Sequence, residues 1–223
     1  AKHLNIEIGM NLRANRWAGA EYWIQQKHVF GLEQLIEQSE LITLGIDGGG
    51  LDDLLGFAAL GRLKKDPRIW WLWSKAWANK LALERRKENI PKYRDFEKEG
   101  SLVVVDKVGE DIDQLALIAK QIYDSGKLDK IGLDPQGLGG LIDGLTGAGI
   151  PEEILVAVPQ GHKLMGYIMT SERKLAEGNL WHAGQQLMTW CVGNARVVMI
   201  GNGMRITKQD SGVGKIDPVI AMF

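Results

Sequence analysis

The sequence predicts an α/β domain built on a mixed sheet with helices on both faces. Three observations carry that reading. Three strand-like apolar runs follow one another at the start of the domain, strand-like and helix-like segments alternate after them, and several short apolar runs end in an aspartate, where open α/β sheets place their sites.

Taken in order, residues 1–39 contain Asn5, Asn11, Trp17 and Trp23 in a polar setting without strand alternation, then an amphipathic stretch at residues 32–36. They read as an arm or linker packed on a domain that occupies residues 40–223. Residues 41–46 are a short apolar run closed by Asp47 and three glycines, which suits a buried strand and its turn. Residues 54–60 and 68–73 read as two further strands, so a meander opens the domain. Trp70, Trp71, Trp73 and Trp77 crowd the third strand. Such rings can stack on bases, but large residues on both faces of a strand are expected to be core or interface packing.

Residues 81–98 are charged, helix-like and interrupted by Pro91, and they read as an insertion. Alternation then sets in: strand at 102–105, amphipathic helix at 111–123, strand at 130–133, helix at 136–146, strand at 154–158, helix at 163–177 and helix at 185–192. Residues 197–206, broken at Gly201-Asn202-Gly203, predict a hairpin, because Asn-Gly between apolar runs is a strong tight-turn signal.

Composition narrows the function classes. With 45% hydrophobic and 25% charged residues in a chain of 223, one sizeable core is expected. The single cysteine, Cys191, rules out an internal disulfide framework, and no leader or long uncharged apolar run suggests export or a membrane. A reducing cytoplasm is the expected compartment. Net charge is −1, so any nucleic-acid contact must come from local basic sets. The candidates are Lys64, Lys65 and Arg68; Lys80, Arg85, Arg86 and Lys87; and Arg196, Arg205, Lys208 and Lys215. Each of these sets also reads as an ordinary solvated face.

The chemistry is concentrated in acidic residues. Asp47 follows Leu44-Gly45-Ile46, Asp134 follows Ile131-Gly132-Leu133, and Asp217 follows Ile216. Carboxylates at strand ends and helix starts can converge on hard divalent cations, which prefer oxygen ligands. Two such ions can activate water and stabilise the leaving oxygen of a phosphodiester. Asp53, six residues beyond Asp47, is placed to fold back as a fourth ligand. The competing explanation is capping: Asp134-Pro135 and Asp217-Pro218 both have the form of an N-cap followed by proline at the first helical position. Capping does not account for Asp47, which precedes glycines and a strand.

Gly45-Ile46-Asp47-Gly48-Gly49-Gly50 also resembles the first phosphate loop of the sugar-kinase, heat-shock and actin ATPases. Their nucleotide site needs a second glycine-rich loop from a duplicated domain, which is missing here, and no G-x-x-x-x-G-K-[ST] loop is present. His3, His28, His162 and His182 lack metal-ligand spacing, Cys191 reads as core, and no serine lies in a G-x-S-x-G elbow.

Larger stretches carry a more extensive likeness. Leu44-Gly45-Ile46-Asp47 with Asp53-Leu54, Gly132-Leu133-Asp134-Pro135, Leu180-Trp181-His182-Ala183-Gly184, Trp190 with Asn194-Ala195, and Lys208 with Lys215-Ile216-Asp217-Pro218-Val219-Ile220-Ala221 resemble, in order across residues 40–223, the nuclease domain of a tailed-bacteriophage or prophage large terminase. The resemblance implies a ribonuclease H-like fold and a metal-dependent endonuclease that cuts concatemeric viral DNA during packaging in the bacterial host cytoplasm. It implies Asp47, Asp134 and Asp217 as catalytic metal ligands, Asp53 as an auxiliary ligand, and two ions of Mg2+ or Mn2+. Lys208, Lys215 and Arg205 become candidates for contact with double-stranded DNA, and the portal protein and small terminase subunit become expected partners. Residues 1–39 are then the connection to the ATPase motor, which has no counterpart in this sequence. A non-catalytic packaging module docking through the tryptophan-rich region is the alternative.

Overall fold

The computed structural model describes residues 15–85, 87–135, 138–208 and 214–223. Of the residues named from the sequence, His3, Asn5, Asn11, Arg86 and Gln136 lie outside these. Helix α1 (Gly19–Tyr22) runs into a 3-10 turn (Trp23–Gln26), and α2 (Leu32–Gln38) leads directly into β1 (Ser39–Gly48). There follow β2 (Leu54–Leu63), β3 (Trp70–Asn79), α3 (Lys80–Arg85), α4 (Ile90–Glu99), β4 (Leu102–Val105), α5 (Glu110–Asp124), β5 (Leu128–Leu133) and α6 (Leu138–Gly147). The chain ends with β6 (Leu155–Ala157), α7 (Met165–Ala176), β7 (Leu180–His182), α8 (Gln186–Asn194), the β8 (Ala195–Ile200) and β9 (Gly203–Lys208) hairpin, and α9 (Asp217–Met222).

The main sheet has the order β4-β3-β2-β1-β5-β6, with β7 also paired to β3. The meander β1-β2-β3 is antiparallel, whereas β5, β6, β4 and β7 join in parallel. This is the mixed sheet the alternation predicts, with one strand, β7, that three residues of sequence did not announce. The third strand is also longer than predicted. Ser74 and Lys75 interrupt its apolar run, yet Ser74 is buried with its backbone carbonyl accepting a hydrogen bond from Gln185 Nε2 at 2.9 Å, and residues 76–79 pair with β4.

Period-two alternation sends side chains to two cores. Ile42, Leu44 and Ile46 of β1, with Leu55 and Phe57 of β2, face one side and pack under α2, α5 and α6 through Leu35, Leu115, Ile122 and Leu145. On α5 the buried positions Leu115, Ala116, Ala119 and Ile122 recur at helical spacing, and Glu110, Asp111 and Asp113 occupy the first turn, where the helix dipole favours negative charge. Leu54, Ala58, Leu72 and Ala76 face the other side, toward α4, α7, α8 and α9.

The charged stretch at 81–98 belongs to that second core. Pro91 does not break a helix; it sits in the first turn of α4, where its missing N–H costs nothing, and Gly100 ends the helix with φ +90°. Tyr93 and Phe96 are buried, with their rings 6.3 and 5.7 Å from that of Trp190, and Glu99 Oε1 accepts the Gln186 N–H at the start of α8 at 3.0 Å. Trp17 and Trp23 are likewise buried. Trp23 stacks on His182 with ring centroids 3.9 Å apart and donates to Thr189 Oγ1 at 3.1 Å. His182 Nε2 donates to the Trp23 carbonyl at 2.7 Å while its Nδ1 accepts from Gly184 N–H at 3.2 Å, a pattern that fits only the neutral ring. Burial holds its pKa down at about 4. Trp77 is core as expected, donating to Gln114 at 3.0 Å, and Trp71 stacks on Phe30 at 4.3 Å.

The short α9 lies in a trough of glycines. Gly45, Gly56 and Gly132 fall on the same face of adjacent strands, since Asp47 pairs with Gly56 and Gly45 with Gly132. A Cβ on Gly45 would stand 1.8 Å from the Ala221 carbonyl oxygen, and one on Gly56 would stand 2.6 Å from the Asp217 carbonyl carbon. Gly45→Ala is therefore expected to push α9 off the sheet and destabilise the protein by about 1–3 kcal/mol, a drop of roughly 3–10 °C in melting temperature. Gly166→Ala, on an exposed helical position where nothing lies within 4 Å of the added Cβ, should leave melting unchanged or raise it. Thermal denaturation of the two variants side by side checks this.

Candidate metal centre

Four elements bring their aspartates to one cleft. Asp47 is the penultimate residue of β1, Asp53 ends the turn into β2, Asp134 follows β5, and Asp217 opens α9. The parallel pairing of β1 with β5 ends at Ile46 and Leu133, so the next residues, Asp47 and Asp134, are neighbours at the carboxyl ends of adjacent strands on the glycine-bearing face. The tight β1-β2 reversal returns the chain to Asp53. Gly48 and Gly49 make that reversal with φ +89° and +102°, and Gly49 N–H donates to the Leu54 carbonyl at 3.1 Å. The glycine run that resembled a phosphate loop is thus accounted for by a hairpin. A Cβ on Gly48 would also come within 3.1 Å of Asp217 Oδ1, so the same bare backbone admits the fourth carboxylate.

The capping explanation does not hold for Asp217. The N-cap of α9 is Ile216, and Asp217 is already helical. The described part of α6 begins at Leu138, four residues beyond Asp134.

The cleft, of about 320 Å³, is lined by Asp47, Asp53, Asp134 and Asp217 together with Gln160, Thr207, Lys208 and Lys215. All four carboxylates foreseen from the sequence are therefore brought together. Of the basic candidates, Lys208 is exposed at the rim, whereas Arg205 is exposed on the same strand outside the lining. Lys215 lines the cleft but is buried within it: it is 2% exposed, and its Nζ donates to Asp53 Oδ1 and, at 3.3 Å, to the Asp52 carbonyl. Gln160 and Thr207 carried no sequence signal, being single polar residues in a loop and a hairpin strand.

Crowding marks the electrostatics. Burial, then the charges of Asp134 and Asp53, raise the Asp47 carboxyl to about 7. Asp217, almost fully buried, is likewise raised well above the ordinary carboxylate range by burial and by Asp53 and Asp47, with Lys215 acting in the opposite direction. An all-oxygen set of carboxylates under mutual repulsion fits a hard divalent cation. Among the described residues no group of three His, Cys, Asp or Glu side chains is already gathered closely enough to hold one. The carboxylates stand around the cleft, and side-chain movement must complete any coordination shell.

Because the Asp47 carboxyl is raised from its ordinary value of 3.8 to about 7, the folded state binds more protons than the unfolded state between those values. Its contribution to stability is full below about pH 4 and is lost as pH rises through about 7. Metal-free Asp47→Asn should therefore gain melting temperature over the unmodified chain progressively from pH 4 to 7. A difference that stays flat across that range would mean that Asp47 titrates normally. Comparing the two proteins at each pH cancels the contribution of His182, whose depressed pKa makes stability rise with pH in an overlapping window.

Comparison with known proteins follows the same lines. The crystal structure of the HK97 bacteriophage large terminase matches with a TM-score of 0.68 and 22% identity, covering 85% of this chain and 40% of that one. The large terminase nuclease of thermophilic phage G20c matches with a TM-score of 0.59 and 12% identity over 93% of this chain and 95% of that one. The same nuclease with bound magnesium matches at 0.57 and 13% identity, over 93% and 94%. At these identities the likeness is one of fold, which is ribonuclease H-like. This chain spans less than half the length of the HK97 protein. No curated protein sequence matches it significantly. The family model for the terminase large subunit endonuclease domain matches residues 40–223, and with the aspartate cleft formed from those same residues, the chain belongs to that family.

Proposed function

We propose that this chain is a divalent-metal-dependent endodeoxyribonuclease that cuts concatemeric viral DNA during genome packaging, by two-metal hydrolysis of the phosphodiester. The convergence of Asp47, Asp53, Asp134 and Asp217 on one cleft carries the reading. Membership of the endonuclease family and the likeness to a nuclease described with bound magnesium support it. Among the described residues, no helix is long and apolar enough to cross a membrane.

In this proposal Asp47, Asp134 and Asp217 hold the cations, with Asp53 as the auxiliary ligand. Bound Mg2+ or Mn2+ would supply an activated water and neutralise charge on the leaving oxygen. The chain's own residues set the geometry. The β1-β5 pairing presents two carboxylates side by side, α9 presents the third from above the sheet, and Lys208 at the exposed rim contacts a backbone phosphate. Phosphate contacts carry no sequence information, so cutting is expected to show little sequence preference. The portal protein and small terminase subunit remain the partners proposed on family grounds.

Asp134→Asn tests the site. It should abolish cleavage of supercoiled plasmid in manganese, while metal-free melting stays level or rises slightly, because one of the repelling charges is gone. Asp129→Asn, exposed on β5, is the control. Full cleavage by the Asp134 variant, or equal cleavage by the unmodified chain in excess chelator, would falsify the proposal. Lys208→Ala should weaken DNA binding and reduce its salt dependence by about one unit of slope, measured by fluorescence anisotropy across a salt series.

A further inference from the structure

We propose that Lys215 is a resident cation of the acidic cleft: its ammonium holds Asp53 in the metal-free protein and is displaced from that carboxylate when a divalent ion binds. The inference rests on the metal-site reading above and assigns Lys215 a role other than direct contact with DNA.

The geometry begins with burial. Lys215 is 2% exposed and ranks among the largest fully buried side chains, an arrangement that a lysine tolerates only when its charge is compensated. The compensation comes from the cleft itself. Nζ donates to Asp53 Oδ1 and to the Asp52 carbonyl, and Asp53 Oδ1 also accepts the Leu54 N–H at 3.1 Å. The lysine backbone is fastened as well. Its carbonyl accepts from Asn194 Nδ2 at 3.1 Å, at the end of α8, and α9 begins two residues later. Ammonium and carboxylate are thus presented to each other by three separate elements rather than meeting on a mobile surface.

Its charge has consequences for loading. Asp53 lines the cleft with Asp47, Asp134 and Asp217, so a positive group attached to it lies where the field of these carboxylates is shared. It relieves their repulsion in the absence of metal. It also competes: two like charges in one cleft oppose each other, and Asp53 Oδ1, which already accepts from Nζ and from the Leu54 N–H, gives up a donor when a cation takes that oxygen. In this inference divalent binding draws Asp53 away from Lys215, which leaves the ammonium beside the loaded site.

The test uses the 223-residue chain with manganese chloride as probe. Lys215→Met, similar in length but uncharged, should melt lower than the unmodified chain in chelator, and the gap should close in saturating manganese. Its manganese affinity by calorimetry should be about tenfold tighter, the effect of removing one close like charge. An equal loss of melting temperature with and without manganese, together with unchanged affinity, would make Lys215 a static structural pair and overturn the inference. No manganese binding by the unmodified chain would overturn the metal-site reading and this inference with it. Should Lys215→Met fail to fold, two aspartate variants decide by sign in chelator. Asp53→Asn should melt lower, having lost the partner of a buried ammonium, while Asp47→Asn should melt higher at pH 7, having lost a repelling charge. A higher melting temperature for Asp53→Asn overturns the inference.

Discussion

Close approach of backbone to backbone, where α9 lies on the glycines of the sheet, is the constraint on which the rest of the structure depends. Gly45 and Gly56 have no room for even a methyl group against Ala221 and Asp217, so the helix sits lower on the sheet than side chains would permit. That depth brings Asp217 to the cleft, and it closes the apolar core beneath Val219, Ala221 and Met222. Packing and chemistry are joined at the same few atoms. A six-residue helix has little intrinsic stability, and its position is held by this tertiary contact rather than by propensity.

Electrostatics oppose that packing. Seating α9 deeply forces a buried carboxylate against Asp47 and Asp53, and the raised Asp217 carboxyl, shifted first by burial and then by those two charges, expresses the cost. A site of this kind is poised: protons, an internal ammonium and a divalent ion are alternative ways of relieving the same repulsion. Lys215 shares a short connecting segment with Asp217, so the chain segment that adds the last negative charge also carries a positive one. In the role proposed for Lys215, metal affinity and metal-free stability are coupled through this pair in opposite directions.

Much of the surrounding structure supports the hairpin and α9 indirectly. The charged stretch after β3 turns inward through Tyr93 and Phe96 and meets Trp190 on α8, while Glu99 caps the same helix. From its other end α8 fastens Lys215 through Asn194. The Trp23-His182 stack locks the N-terminal segment onto β7, with the ring kept neutral by burial and oriented by its two hydrogen bonds. These contacts join elements far apart in sequence, and they surround the half of the sheet that bears the site.

What the sequence determined by itself was local and periodic. The short apolar runs at residues 41–46 and 131–133, the helical spacing of 111–123 and the Asn-Gly signal near 202 identify elements because apolar patterning and turn chemistry are properties of neighbouring residues. The hairpin turn is Gly201-Asn202, with Ile200 paired to Gly203 and the positive φ on Gly201, inside the three-residue break read from the sequence, which left the register open. Asp47, Asp134 and Asp217 were legible because each follows apolar residues, and Asp53 because of its spacing from Asp47. Tertiary structure alone decided the rest. Pro91 starts a helix rather than breaking one, β7 is a strand because β3 offers it an edge, and Asp217 enters its helix rather than capping it. Lys215, grouped from sequence with surface cations, is buried because Asp53 lies opposite it, 162 residues away along the chain. Burial and charge pairing depend on which distant residues meet, and no window of neighbouring residues contains that information.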